Sequence, residues 1–483
     1  MNCRNRIRWI LVLIGLGLIV RLAYVLFVER GDPLSGDGIY YHEAANLLAD
    51  GLGFTEPYRY LHGGGQEALF VADPTSLAAT ANTALPVGHI EPTAGHPPLW
   101  VLVLGAFSFL GFTSVTAHQL VGVLTGTVGV AAVAWAGHQY GRSLGLRHVG
   151  TVAAGVTAVH AGFWLNDGLV MSESLVVPVT AVLLGVAVRT GRSPVTRNVL
   201  LLGLVGGLAA LTRAELVLAL PVLALPILLW RDESGPVVSN AARLRRYVAV
   251  GLVAATVMAP WVARNLIVFE EPVWLSNGTG ILVAQTNCDA TYYGDKQGSW
   301  RFECALPQPL GPDGRAADES VRDVEYRQRG LDYLGDHRAR FVTHVVPKRV
   351  GRYWGVYAPI NQLRADILVE GRSFRLSVLG LVQFALIAAL ALVGGREVRR
   401  RRGPLLLLVA LPVVGTLVAA FTMGTTRYRV PAEVALVLLA SVGVAAGRHS
   451  TSDPPPIPDP ATLGTCLSPR PTMLPRRLAR CRR

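Results

Sequence analysis

Apolar runs long enough to cross a bilayer recur along this chain, and they constrain its fold more than any other feature. The first, "WILVLIGLGLIVRLAYVLF" (9–27), has the length a transmembrane helix needs, about 17–25 residues. It is too long for a signal-peptide core and no small-residue cleavage site follows it, so it reads as a retained span. Of the 483 residues 51% are hydrophobic and only 16% are charged, against roughly 25% in soluble domains. In lipid a backbone must satisfy its own hydrogen bonds, which runs of this length do as helices. The expected fold is all-α, a polytopic transmembrane helical protein.

The formal charge of +13 would suit a nucleic-acid partner, but its distribution argues against one. Basic residues gather in short segments between apolar runs: "RNRIR" at the start, "RSLGLRH" (142–148), "RTGRSPVTR" (189–197), "RLRR" (243–246) and "REVRRRR" (396–402). Such clusters mark cytoplasmic loops, and anionic lipid heads suit the same placement. With the N-terminus inside, the chain threads about ten spans of bilayer length. They lie near residues 9–28, 115–137, 149–165, 174–189, 197–212, 215–230, 247–268, 374–394, 404–422 and 430–447. The run "HPPLWVLVLGAFSFLG" (96–111) is short and reads as an interfacial helix. The inner segments then hold more than half of the 45 Lys and Arg but few of the 32 acids.

This threading divides the chain into a transmembrane body (1–449) and a Pro-rich, basic cytoplasmic tail (450–483) expected to be disordered. Two outer loops stand out, one at 29–114 and a long one at 270–373 that reads as a small cap. Within the long loop, the stretch from Asp318 to Trp354 reads as a helix followed by an interfacial helix. Cys288 and Cys304 share that loop, where a disulfide can form, although spacing alone does not fix the geometry. No Cys/His set has zinc-site spacing.

The outer side collects unusual polar residues. Asp37 opens "DGIYYHEAANLLADG", a short amphipathic helix, and Asp is a favoured N-cap, so capping alone explains it on helix grammar. "HIEPTAGHPPLW" supplies Glu91 and His96, Glu91 being on its own an ordinary solvated acid. Asp167 and Glu173 lie where the third span hands over to the fourth, and Glu173 suits the positive end of its helix. Arg213, Arg264, Arg427 and Arg429 lie at outer span ends, and Arg21 lies within a span. Charges at such depth are paired or functional. Pairing, for instance of Arg213 with Glu215, competes with a functional reading of any one of them. Together, arginines facing carboxylates suit a phosphate beside a base, since the guanidinium fork donates two parallel hydrogen bonds.

"GDGIYYHEAANLLADGLGF", "PTAGHPPLWVLVLGAFSFLG", "MSESL", "GGLAALTRAE", "PWVARNLIVF" and "TTRYRVPAE" follow one another along most of the chain. The ordered series resembles the glycosyltransferase C superfamily. It is most similar to the bacterial branch related to protein O-mannosyltransferases and the aminoarabinose transferase of lipid A. The resemblance implies a polyprenyl-phosphate-linked sugar as donor, reached from the outer leaflet of the plasma membrane. The acceptor hydroxyl, on protein, lipid or polysaccharide, is not specified. Asp37 matches the family's acidic residue after the first span, assigned as base or orienter of the acceptor hydroxyl. Glu173 matches its second acidic position, with Asp167 as rival. Many relatives carry a basic or aromatic residue before the double proline, where this chain has His96, and the 270–373 loop lacks any motif that matches; both leave the acceptor open.

The expected chemistry is an inverting transfer on the extracytoplasmic face, with Arg264 and Arg427 the preferred phosphate ligands and Arg213 and Arg429 beside them. Tyr40 and Tyr41 either pack on the sugar or anchor the short helix at the interface. Some relatives use a divalent metal and others do not; with few clustered carboxylates, no metal is expected. A multi-span transporter or flippase of a lipid-linked or anionic substrate is the competing class, and a non-catalytic scaffold a third. Transporters show repeated halves or paired broken helices, which this sequence does not display.

Overall fold

The apolar runs fold as helices. A computed structural model describes residues 3–63, 86–229, 238–310 and 317–450, and among these there is no strand, only an isolated bridge between Thr55 and Pro92. Residues up to Ala446 belong to one compact unit. The expected disordered tail, from 451 onward, lies outside the described residues. Among the described residues, six helices are long and apolar enough to cross a membrane: Asn5–Glu29, Val115–Leu144, Glu173–Arg192, Asn240–Val268, Phe374–Arg400 and Arg427–Gly447. The other expected crossings are shorter apolar helices, Val149–Val159, Thr196–Thr212, Ala214–Leu229 and Leu405–Phe421.

Close helix approach in lipid comes from small residues, because apolar burial gives no drive there. The Val115–Leu144 and Glu173–Arg192 helices meet at Gly129, whose Cβ position lies 3.1 Å from Val177, and at Gly185, which faces the Trp135 ring. The Phe374–Arg400 and C-terminal helices meet where Gly394 faces the Leu439 carbonyl and Gly443 faces the Leu390 carbonyl. Side chains such as Val133, Leu184, Leu202 and Val434 fill the core between them.

Arg21, the charge inside the first span, is paired. Its Nε donates to Asp167 Oδ2 at 2.7 Å, with side chains 1% and 2% exposed, and its Nη1 donates to the Gly17 carbonyl at 3.1 Å. Gly122 and Gly126, one turn apart on the Val115–Leu144 helix, make room for the pair. A Cβ on Gly122 would strike the Asp167 backbone, and one on Gly126 the Asp167 carboxylate and the Arg21 guanidinium.

The third expected span is not one helix. It divides into Val149–Val159 and Ala161–Gly168, with His160 extended between them (φ −72°, ψ 111°). The side chains around His160 compensate for the break. Its Nε2 lies 2.6 Å from Glu433 Oε2, and Gln383 bridges the gap by accepting Ala161 N–H at 2.7 Å and donating to the Val159 carbonyl at 3.0 Å.

The "HPPL" run forms the 11-residue helix Leu99–Phe109, about 16 Å long at 1.5 Å per residue, short of a bilayer core of about 30 Å. It packs on the Asp37–Ala49 helix, where Gly105 lets Leu48 and the Ala45 carbonyl approach within 3.0 and 3.4 Å of its Cβ position. Trp100 and Leu104 are fully buried there.

The 270–373 segment folds into short helices, chiefly Thr279–Thr286, Glu319–Asp336, Val346–Tyr353 and Pro359–Glu370. Cys288 and Cys304 are joined by a disulfide. Arg349, fully buried, staples the segment by donating to the Thr286 carbonyl at 2.5 Å and to Asn287 Oδ1 at 3.1 Å.

Candidate active site

Asp37 does not cap its helix. Gly36 holds the N-cap position with φ 53° and makes no side-chain cap bond, and Asp37 is the first helical residue. Two glycines flank it because carbonyls press on both sides. A Cβ on Gly36 would lie 2.6 Å from the Val369 carbonyl oxygen, and one on Gly38 would strike that of Leu169. Ser35 Oγ fixes the same turn by donating to the Val369 carbonyl at 2.8 Å.

The freed carboxylate meets Arg427, which sits on a 3-10 turn opening the last helix. Arg427 Nη1 lies 2.7 Å from Asp37 Oδ2 and its Nε 2.7 Å from Glu173 Oε1. Glu173 Oε1 also receives Arg213 Nη1 at 2.6 Å, and Arg213 Nε reaches Glu215 Oε1 at 2.6 Å while its guanidinium lies over the Tyr428 ring. Glu370 Oε1 stands 3.9 Å from Arg427 Nη1, and its other oxygen pairs with Arg372, whose Nη2 donates to Asn166 at 2.8 Å. Behind Arg427 lies a cavity of about 40 Å³ walled by Asp366, Arg372, Arg429 and Glu433.

Access is unequal across this network. Glu173 is 1% exposed and Arg427 10%, whereas the Asp37 side chain is 33% and His96 28% exposed. His96 Nε2 stands 3.8 Å from Asp37 Oδ2, and its ring is held by Tyr40 and Tyr41 at centroid distances of 4.7 and 4.9 Å. Tyr41 donates to Ser172 Oγ at 3.2 Å, beside Glu173. Burial disfavours the Asp37 carboxylate, but Arg427 and then His96 more than offset it and hold its pKa well below the usual carboxylate range. Burial lowers the His96 pKa; Asp37 opposes this, and Arg427 adds to it. The accessible face is therefore a carboxylate beside an imidazole, backed by the Arg427 guanidinium.

The remaining residues singled out by sequence lie elsewhere. Glu91 belongs to a separate ion cluster, 2.8 Å from Arg322 and 3.4 Å from Arg59. Arg264 is engaged with backbone: it donates to the carbonyls of Thr93 at 2.9 Å and Phe54 at 3.1 Å and lies over Trp261. Arg429 pairs with Glu433 at 2.6 Å and lies over Phe384. Asp167, the rival of Glu173, is committed to Arg21. Glu370, Arg372 and Asp366 come from or beside the long segment in which sequence showed no matching motif. Among the described residues no group of three or more His, Cys, Asp or Glu is arranged to hold a metal. Asp37 and His96 are the accessible donors.

What fold and site define is a many-helix membrane protein with a charged, partly exposed arginine–carboxylate network. No protein-family profile and no curated protein sequence matches the chain. Among solved structures it is similar to ArnT from Cupriavidus metallidurans bound to undecaprenyl phosphate, with 15% identity, a TM-score of 0.37, and 91% of this chain and 78% of that one covered. The apo form of the same protein gives 16% identity, a TM-score of 0.35, and coverages of 90% and 78%. At such identity, residue roles here rest on this chain's own geometry.

Proposed function

We propose that the chain is an integral-membrane inverting glycosyltransferase that moves a sugar from a polyprenyl-phosphate donor to an acceptor hydroxyl on the extracytoplasmic face of the plasma membrane. The observation that carries this reading is the accessible Asp37 carboxylate held at 2.7 Å by Arg427, which Glu173 anchors from behind. The ordered motifs that resemble the glycosyltransferase C superfamily supply the substrate class.

In the reaction, the acceptor oxygen bonds to the anomeric carbon as the bond from that carbon to the phosphate oxygen breaks. The proton of the acceptor hydroxyl passes to Asp37, and polyprenyl phosphate leaves with the electron pair. Positive charge already fixed by carboxylates needs little reorganisation as the phosphate's charge grows. Arg427, which touches both Asp37 and Glu173, is the first phosphate ligand, and Arg213 supports it through Glu173. Arg264, engaged with carbonyls, shapes the wall. A low pKa makes Asp37 a weak base, so its first task is to orient the hydroxyl and accept its proton late, when the oxygen has become acidic.

The test is sugar transfer by purified wild-type protein and Asp37→Asn, using a panel of polyprenyl-phosphate sugars. Transfer by wild type that Asp37→Asn cuts by about 10²-fold or more is the expected result. Undiminished transfer by the variant would remove Asp37 from the chemistry. Flipping or uptake without transfer by wild type would replace the enzyme with a transporter.

A further inference from the structure

The turn that presents His96 is gripped by a carboxylate of the 270–373 segment. Glu319 opens the Glu319–Asp336 helix. Its Oε2 accepts Ala94 N–H at 2.9 Å and its Oε1 accepts the Thr93 hydroxyl at 3.3 Å. Thr93 Oγ1 also accepts Gly95 N–H at 3.1 Å and lies 3.1 Å from the Tyr40 hydroxyl. Tyr40 in turn packs edge-on against His96, which faces Asp37. Gly95 marks the convergence: a Cβ there would lie 3.2 Å from Glu319 Oε1, 3.5 Å from Thr93 Oγ1 and 3.8 Å from the Tyr40 oxygen. A chain of three polar side chains thus runs from the long segment to the wall of the candidate active site.

We propose that Glu319 is a positioning residue: by bridging Ala94 N–H and the Thr93 hydroxyl it fixes Tyr40 and the His96 turn against Asp37. This rests on the reading of Asp37 as the reacting carboxylate. The chain also has a direction. An ionised Glu319 accepts from Thr93, so Thr93 accepts from Tyr40 and holds the phenolic hydrogen. A protonated Glu319 donates to Thr93, Thr93 donates to Tyr40, and the phenolic hydrogen is no longer held by Thr93. One proton on Glu319 reverses every hydroxyl between the long segment and the site.

Both states are reachable near neutral pH. Burial pushes the Glu319 carboxyl up to about 7, against the opposing pull of Arg322, Ala94 N–H and Thr93. The charged and titratable groups facing it are Arg322 on its own helix, Glu91 on the first loop, Arg264 on the Asn240–Val268 helix and the Tyr40 phenol. Glu91 is itself held by Arg322 and Arg59. Asp318, next in the chain, is spent on Ser320. A folded-state pKa above the ordinary value means that the stabilisation is complete below about pH 4.5 and is lost as pH rises through about 7.

Glu319→Gln tests the proposal, because its amide accepts from Ala94 and donates to Thr93 and so mimics the protonated acid at every pH. Two profiles decide, measured on full-length protein in detergent micelles: melting temperature against pH, and kcat and KM of sugar transfer against pH. Wild type is expected to lose melting temperature between pH 5 and 8 more steeply than Glu319→Gln, and its kcat profile to carry an ionisation near pH 7 that the variant lacks. Tyr40→Phe, which cuts the chain at its far end, should lose the same ionisation. Glu319→Ala should lower kcat by about tenfold or more with KM little changed, as small misplacements at a reacting centre do. Melting and activity profiles of Glu319→Gln that superimpose on wild type would overturn the proposal. If wild type transfers no sugar, the proposed function falls, and the melting profiles alone still judge the Glu319 bridge.

Discussion

Two buried arginine–carboxylate systems in this molecule use the same chemistry to opposite ends. Arg21 and Asp167 form a closed pair: neither side chain is more than 2% exposed, and the glycine faces of a neighbouring helix seal it. Arg427 instead sits in an open network with Asp37, Glu173, Glu370 and, through Glu173, Arg213. There two arginines share one oxygen of Glu173, and one end of the network is a third exposed. A charge whose needs are met within a sealed pair contributes to folding. A charge whose partner is both shared and exposed can exchange that partner for a substrate.

Substitutions break this comparison in order of expected effect. Asp37→Asn should cut transfer by about 10²–10⁴-fold, the range of a lost proton acceptor, with the melting temperature little changed because Arg427 keeps Glu173. Asp167→Asn should do the reverse: it strands a buried Arg21 and costs about 3–5 kcal/mol of stability, read as melting temperature or yield of folded protein, while kcat of the surviving protein stays near wild type. Arg427→Lys cannot span two carboxylates with one ammonium, and kcat should fall by about 10²-fold in single-turnover transfer assays. Gly126→Ala should be the mildest, about 1–3 kcal/mol from overpacking against the closed pair, and visible only as thermal destabilisation. A kcat loss in Asp167→Asn as large as that in Asp37→Asn would erase the distinction.

The helical build was legible because it is written in local composition, although the basic clusters at 243–246 and 396–400, expected in loops, lie within helix ends. Asp37, Glu173, Arg213 and Arg427 were also visible in sequence, as charges misplaced at the ends of apolar runs. What sequence could not assign was partner and orientation. Asp37 follows helix-cap grammar, yet Gly36 takes the cap because the Val369 carbonyl leaves no room for a side chain there. Arg264, like Arg427, lies at the outer end of an expected span but is drawn to the carbonyls of the Phe54 and Thr93 turns. The break at His160 depends on Glu433, far along the chain, which no local period could signal. Glu319, Glu370 and Arg372 sit in or beside a polar segment where acids are ordinary. Glu319 reaches Ala94 and Arg372 reaches Asn166, each across about 200 positions, and Glu370 faces Arg427, contacts that become visible only in three dimensions.

The glycines on either side of Asp37 have a further consequence. With the Val369 carbonyl against Gly36 and the Leu169 carbonyl against Gly38, the turn is wedged between the long segment and the bundle with no slack on either face. A displacement of the Pro359–Glu370 helix is therefore transmitted to the carboxylate without a hinge to absorb it.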